Sequence, residues 1–176
     1  MAKNLFFVGD SLIEFYDWQP LFPGHRVSNL GRAGDTVREL MERLPAILTL
    51  APPPDWLLMM IGTNNVCMED FAFLPDYETL ITRIRNRLPH AALTVNSLLP
   101  VTLPYLAGNV TARLNQLLRE MAVRCGVRYL DALTPLTGDS GTVLPGVLFP
   151  DGVHLARRGY DLWGDAIHRH LLELFP

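Results

Sequence analysis

The sequence predicts a three-layer α/β/α fold built around a five-stranded parallel sheet. Short apolar runs alternate along the chain with longer stretches of helical periodicity, which is typical of strands and helices in βαβ units. Several of these runs are almost wholly apolar, as expected for strands that are covered by helices on both faces. The crossovers between parallel strands should be right-handed.

The predicted strands and helices follow one another in a regular order. The strands are residues 5–8, 27–30, 56–61, 93–98 and 127–130. Amphipathic helices are predicted where apolar residues recur at positions i, i+3 and i+4, over residues 37–48, 77–88, 110–125 and 160–171. The stretch 134–150 is rich in Gly, Pro, Ser and Thr, and it is predicted to be a long ordered loop near a functional site.

Length and composition indicate one globular domain over residues 1–176. Hydrophobic residues make up 49% of the chain and charged residues 19%, which is the balance of a folded protein rather than a disordered one. The formal net charge is −3, so the chain lacks the basic surface that a nucleic-acid partner requires. Its one basic cluster, Arg83, Arg85 and Arg87, falls in a helical pattern and is predicted to be a solvated face.

The chain shows no sign of a membrane or secretory segment. No apolar stretch approaches the ~20 residues of a membrane span, and the apolar run at residues 5–8 is too short for a signal peptide. We therefore expect a cytoplasmic protein without stable membrane insertion. Two cysteines do not make a disulfide framework. Cys125 is predicted to be a small buried hydrophobe on a helix, and Cys67 an inert loop thiol.

Four polar or glycine-rich segments follow predicted strands. They are Gly9-Asp10-Ser11-Leu12, residues 29–36, Gly62-Thr63-Asn64-Asn65 and Asp151-Gly152-Val153-His154-Leu155. Open parallel sheets bind ligands outside the carboxyl ends of their strands, so we expect these segments to converge at one edge of the sheet. Each segment alone is a weak signal, because glycine and asparagine mark turns in most proteins.

Taken in this order and spacing, the four segments resemble the sequence blocks of the SGNH hydrolases, also called the GDSL family. The resemblance spans nearly the whole chain. Gly62-Thr63-Asn64-Asn65 and the short length look most like the branch of platelet-activating-factor acetylhydrolase catalytic subunits and related bacterial acylhydrolases. The resemblance implies a flavodoxin-like strand order. It also implies hydrolysis of a small carboxylic ester through an acyl-serine intermediate, with no cofactor and no metal.

The resemblance assigns Ser11, Asp151 and His154 to a catalytic triad. A serine hydroxyl is a poor nucleophile until a base takes its proton, and imidazoles titrate near neutral pH. We therefore expect His154 to be the base, and Asp151 to fix its tautomer through a hydrogen bond. A helix that begins just after His154, with Tyr160 and Trp163 on its apolar stripe, should hold this loop against the core.

The same resemblance implies an oxyanion hole with three donors: the backbone N–H groups of Ser11 and Gly34 and the side-chain amide of Asn64. Donors aimed at a developing oxyanion are often the largest single catalytic contribution. Glycine suits its position because its backbone can approach a substrate closely, and a helix that starts at Ser11 should add a dipole field. Asp10 and Asn65 are expected to hold these loops by hydrogen bonds.

Two positions depart from the family pattern. Ile13-Glu14-Phe15 stands where polar residues and glycine often follow the serine, so the resemblance does not define the leaving-group side of the site. Asn65 stands where many members have aspartate, a change that the acetylhydrolase-like branch tolerates. The short chain leaves little room for a lid, and we therefore expect an open site for short acyl groups.

Other interpretations stay open at this point. The substrate could instead be a sugar acetyl ester, a thioester or a lysophospholipid. Ser11 alone could be a helix N-cap, Asp35 a turn residue, residues 36–39 a capping box, and Asp151 with His154 a surface pair. A catalytically silent scaffold subunit is the alternative from a different class of function, and a homodimer is compatible with either class.

Overall fold

Five parallel strands form the centre of the protein in a computed structural model that describes residues 1–138 and 141–176. The strands are β1 (Asn4–Gly9), β2 (Arg26–Gly31), β3 (Trp56–Met60), β4 (Ala92–Asn96) and β5 (Arg128–Leu130). They pair in the order β2-β1-β3-β4-β5, and every pairing is parallel. This is the flavodoxin-like order, and it confirms the predicted fold class.

Seven α-helices occur in the described ranges. They are α1 (Ser11–Glu14), α2 (Val37–Ile47), α3 (Thr63–Cys67), α4 (Leu74–Arg87), α5 (Val110–Arg124), α6 (Thr134–Thr137) and α7 (Arg157–Leu174). The four long helices are those that periodicity predicts. The sequence predicts a helix that starts at Ser11, as α1 does, but it does not predict α3 and α6, because a helix of about one turn is too short to show an amphipathic period.

Three local predictions need correction. The stretch 134–150 is not loop throughout, since it begins with α6, and its residues 139–140 lie outside the described part of the chain. Cys67 ends α3 rather than lying in a loop. Cys125 is not fully buried as predicted: it is half-buried at the end of α5 and packs against the edge of the core.

Both faces of the sheet are covered, and β1 shows how its sequence produces this. Side chains alternate between the two faces of a strand. Phe6 and Val8 therefore join the apolar layer beneath α2, α4 and α5, whereas Leu5 and Phe7 join the layer beneath α7. All four are almost completely buried, which explains why this strand carries no polar alternation.

An aromatic cluster fixes α7 against the segment that follows β1. The Trp18 ring lies 4.9 Å from the Phe7 ring and 5.0 Å from the Trp163 ring. The Tyr160 hydroxyl donates to the carbonyl of Leu12 at 3.1 Å. Tyr160 and Trp163 of α7 thus hold the helix against the segment that follows β1.

The surface of the described residues fits the sequence expectations. Arg83, Arg85 and Arg87 are exposed along α4, as a solvated face should be. Among these residues, no helix combines the length and the apolar character needed to cross a membrane.

Candidate active site

Three of the four polar segments begin where adjacent strands end. Ser11 follows β1, Gly34 follows β2 and Asn64 follows β3, and these strands are neighbours in the sheet. The order of the sheet reverses between β1 and β3, which is where flavodoxin-like sheets form their binding crevice. The fourth segment is anchored beside them, because Gly152 accepts a hydrogen bond of 2.8 Å from the N–H of Thr102, which follows β4.

Ser11, His154 and Asp151 form a continuous chain of hydrogen bonds. The Ser11 hydroxyl oxygen lies 3.2 Å from Nε2 of His154, and Nδ1 of His154 lies 2.8 Å from one carboxylate oxygen of Asp151. Ser11 and His154 are 143 positions apart in the sequence but meet in the fold. Together with Asp151 they have the connectivity of a nucleophile, a base and an acid.

The local backbone orients Asp151. Its second carboxylate oxygen accepts hydrogen bonds of 3.0 Å from the N–H groups of Val153 and His154. The hydrogen bond from Val153 is the main reason that the pKa of Asp151 lies below its ordinary value. An ionised carboxylate favours a proton on the facing Nδ1 of His154, which leaves the Nε2 lone pair towards Ser11.

The backbone before the serine is shaped by two residues. A side chain at Gly9 would place its Cβ only 2.0 Å from the carbonyl oxygen of Met60, so only glycine lets the chain leave β1 this close to β3. Asp10 caps α1 by accepting a hydrogen bond of 3.0 Å from the N–H of Leu12. Asp10 is completely buried, its other oxygen has no hydrogen-bond partner among the described residues, and burial raises its pKa to about 7.

Three hydrogen-bond donors face the open side of this arrangement. Across the described ranges, the N–H groups of Ser11 and Gly34 have no acceptor within the protein. Gly34 has a φ of +84°, and a Cβ added there would meet nothing within 4 Å. One hydrogen of the Asn64 amide goes to the carbonyl of Asp35 at 2.8 Å, which leaves the other for a ligand.

The contribution of the α1 dipole to this site is small, contrary to the expectation from sequence. The helix has four residues, and a macrodipole grows with the number of aligned peptide units. Ser11 therefore offers a backbone N–H group but little additional field.

Asn65 joins the start of α2 to the segment that follows α3. Its side-chain oxygen accepts a hydrogen bond of 3.0 Å from the N–H of Val37, and its amide donates to Asp70 at 2.7 Å. The first of these bonds satisfies a free N–H at the start of α2. Residues 36–39 supply the predicted capping box, in which the N–H of Thr36 donates to Glu39 at 3.0 Å.

Sequence reasoning missed three residues that shape the site. Asp35 is not a simple turn residue, since its buried carboxylate forms an ion pair with Arg43 of α2. Glu14 accepts a hydrogen bond from the N–H of Ala33 and so links α1 to the loop that carries Gly34. The spacing of Arg43 from Leu40, on the apolar stripe of α2, is the signal that could have indicated an inward-facing arginine.

Cys67 lies close to the site but shows no sign of activation. It is half-buried at the end of α3, and burial raises the pKa of its thiol above the ordinary value. Because the thiolate is the reactive form of cysteine, a raised pKa supports the interpretation of an inert thiol. Within the described part of the chain, no three His, Cys, Asp or Glu side chains are grouped as a metal site.

The site links a serine, a histidine and an aspartate in this order, beside backbone and amide N–H donors. This is the arrangement of a serine hydrolase. Comparison with known proteins agrees. The model of the GDSL-like lipase/acylhydrolase family matches residues 7–162. The chain therefore belongs to this family, and it is an enzyme of the ester-hydrolase class.

Individual proteins of known sequence or structure are also similar to this chain. The alpha2 subunit of platelet-activating factor acetylhydrolase IB from Homo sapiens is 27% identical over 177 residues, which cover 97% of this chain and 77% of the human protein. A Streptococcus pneumonia structure, provisionally described as a platelet activating factor, superposes with a TM-score of 0.87 at 26% identity, covering 97% of this chain and 85% of that one. The acetylxylan esterase Axe2 from Geobacillus stearothermophilus shares the fold, with a TM-score of 0.77 at 21% identity and coverage of 96% and 94%.

Proposed function

We propose that the protein hydrolyses short-chain carboxylic esters, with Ser11 as the nucleophile, His154 as the general base and Asp151 as its hydrogen-bond partner. One observation carries this proposal. The chain of hydrogen bonds of 3.2 Å and 2.8 Å that links these three side chains ends beside backbone N–H groups that have no acceptor among the described residues.

The geometry supports a two-step reaction. The Ser11 oxygen attacks the ester carbonyl while its proton moves to Nε2 of His154, and the resulting oxyanion meets the donors of Ser11, Gly34 and Asn64. His154 then protonates the leaving alcohol as the C–O bond breaks. Water attacks the acyl-serine through the same base, and the acid product leaves as Ser11 regains its proton.

The shape of the site supports a short acyl group. Ser11 is only 7% exposed, whereas Gly34 is exposed beside open space. The carbonyl carbon of an ester can therefore reach the Ser11 hydroxyl. A Cβ added at Gly34 would meet nothing within 4 Å, so no described residue encloses a long acyl chain at that point. Similarity to a protein named as an acetylhydrolase supports the same choice.

The leaving group has an aromatic neighbour. It departs beside His154, because the base that took the serine proton returns it to the leaving oxygen. The Phe15 ring lies 5.7 Å from the His154 ring and is 61% exposed. This apolar face suits an alcohol that carries a ring, so a sugar acetyl ester is the second candidate substrate.

The homodimer, the cytoplasmic location and the alternative of a silent scaffold subunit remain predictions. A silent scaffold subunit would not require Ser11, His154 and Asp151 to be aligned, and their alignment supports an enzyme instead. A homodimer and a cytoplasmic location rest on the sequence analysis alone. Sedimentation of the purified protein and fractionation of cells measure them directly.

Hydrolysis of a graded ester series tests the proposed substrate class. We expect kcat/KM for p-nitrophenyl esters to be greatest for acetate to butyrate and to fall towards palmitate, with no turnover by Ser11→Ala. A steady rise from acetate to palmitate contradicts the short-acyl proposal. Acetylated sugars assayed beside simple alkyl acetates then separate the two candidate substrates by their kcat/KM values.

A further inference from the structure

Arg43 makes three polar contacts at the carboxyl edge of the sheet. Its Nη2 donates to the carbonyl of Gly9 at 2.9 Å, and its Nη1 donates to the carbonyl of Leu30 at 2.9 Å. Its Nε pairs with the carboxylate of Asp35. The Arg43 side chain is 18% exposed and that of Asp35 is 3% exposed, so the contact is largely shielded from water.

The three contacts join the two halves of the candidate active site. Gly9 is separated from Ser11 by one residue. Asp35 directly follows Gly34, and its carbonyl holds the Asn64 amide at 2.8 Å. One guanidinium group therefore connects the backbone that presents the nucleophile to the loop that presents Gly34 and contacts Asn64.

The chemistry of arginine suits this connection. A buried carboxylate is stable only when it is paired, and Asp35 is almost completely buried. Arg32 is a poor substitute, because its Nε lies 3.6 Å from Asp35 on a side chain that is 67% exposed. A planar guanidinium can satisfy a carboxylate and two carbonyls at once, whereas lysine offers a single point charge.

We propose that Arg43 is a positioning residue that fixes the donors of Gly34 and Asn64 relative to the Ser11 hydroxyl. It does not touch the substrate, and its effect on the reaction passes through Asp35 and the backbone of Gly9. This inference rests on the proposed function, since it assumes that an oxyanion forms at this place.

The rate of covalent labelling by a fluorophosphonate tests the proposal, because the phosphoryl oxygen of this probe occupies the oxyanion position when the serine reacts. The variants are Arg43→Lys and Asp35→Asn, which retain the size of the side chains. The matched control is Arg38→Gln, on the same helix, whose exposed side chain forms an ion pair with Glu42 at 3.6 Å. Circular dichroism establishes that each variant is folded.

We expect Arg43→Lys and Asp35→Asn to be labelled about 10- to 100-fold more slowly than the wild type, since a misplacement of about 1 Å can have such an effect. For a model ester, kcat should fall while KM changes little. Arg38→Gln should be labelled at the wild-type rate. If both variants are folded and react as fast as the wild type, the proposal for Arg43 is wrong while the proposed function stands.

A double-mutant cycle separates positioning from general damage to the fold. If Arg43 acts through the oxyanion donors, Arg43→Lys should slow labelling much less in an Asn64→Ala background, because contacting residues of one network are not additive. Equal effects in both backgrounds overturn the positioning role. A folded wild type that does not react at Ser11 overturns the proposed function, and the role of Arg43 with it.

Discussion

The side-chain amide of Asn64 donates a hydrogen bond of 2.8 Å to the backbone carbonyl of Asp35. This contact joins the segment after β3 to the segment after β2, and it fixes the rotation of an amide whose second hydrogen has no acceptor in the described part of the chain. Asn64 is therefore held in place before any substrate arrives. A donor that needs no reorganisation during the reaction is the kind that contributes most to stabilising an oxyanion.

Replacement of Asn64 by alanine should lower kcat for a model ester by roughly 10²–10³, the usual effect of removing one oxyanion donor. KM should change little, because the donor acts mainly on the charge that develops in the transition state. Steady-state kinetics of the purified variant measure both quantities. Asn86→Ala, at an exposed position of α4, is the control, and a folded Asn64→Ala enzyme with the kcat of the wild type would remove Asn64 from the oxyanion hole.

Replacement of Asp151 by asparagine should lower kcat by up to about 10⁴, the effect of this change in a comparable triad. The carboxylate accepts from two backbone N–H groups and from Nδ1 of His154. An amide that keeps the backbone bonds turns its NH₂ towards the ring, which favours the wrong tautomer of His154. Asp161→Asn, at an exposed ion pair on α7, should keep full activity; equal kcat values for both variants would contradict the role of Asp151.

Asp10 should make the stability of the fold depend on pH. Burial raises the pKa of Asp10 from its ordinary value of 3.8 to about 7 in the folded state. Between these values the unfolded chain releases the proton while the folded chain retains it. The contribution of Asp10 to stability is therefore full below pH 3.8, and it is lost as the pH rises through about 7.

Urea unfolding of the wild type and of Asp10→Asn at about pH 4 and about pH 8 measures this contribution. The free energy of unfolding of the wild type relative to the variant should be greater at the acid pH. Because Asp151 and the other titrating groups are present in both proteins, their effects cancel in the difference. A difference that stays constant, or that grows at alkaline pH, is inconsistent with a buried, proton-retaining Asp10.

Much of the fold and the membership of the site could be predicted because both depend on regular patterns. The apolar runs of β1 and β3 reflect burial on two faces, and strand ends in a parallel sheet meet at one edge. Ser11, Gly34 and Asn64 could therefore be placed together without coordinates. The order of the triad, with His154 between Ser11 and Asp151, is implied by the family resemblance, whereas the distances between these side chains require the structure.

The supporting contacts could not be predicted, for a physical reason. Arg43 and Asp35 are paired across a loop and a helix. The position of Arg43 on the apolar stripe of α2 could indicate an inward-facing arginine, but the local sequence does not indicate its partner. Their burial results from the packing of α2 against β1 and β2. Glu14 departs from the family pattern, but its bond to Ala33 depends on the path of a loop that sequence periodicity does not describe.

The most direct test of the account is the mass of the intact protein after incubation with a fluorophosphonate. The wild type should gain one adduct, Ser28→Ala should gain the same adduct at the same rate, and Ser11→Ala should gain none. Peptide mapping should place the adduct on Ser11. A folded wild type that gains no adduct, or a Ser11→Ala variant that is labelled like the wild type, would contradict the central claim that Ser11 is the nucleophile of an ester hydrolase.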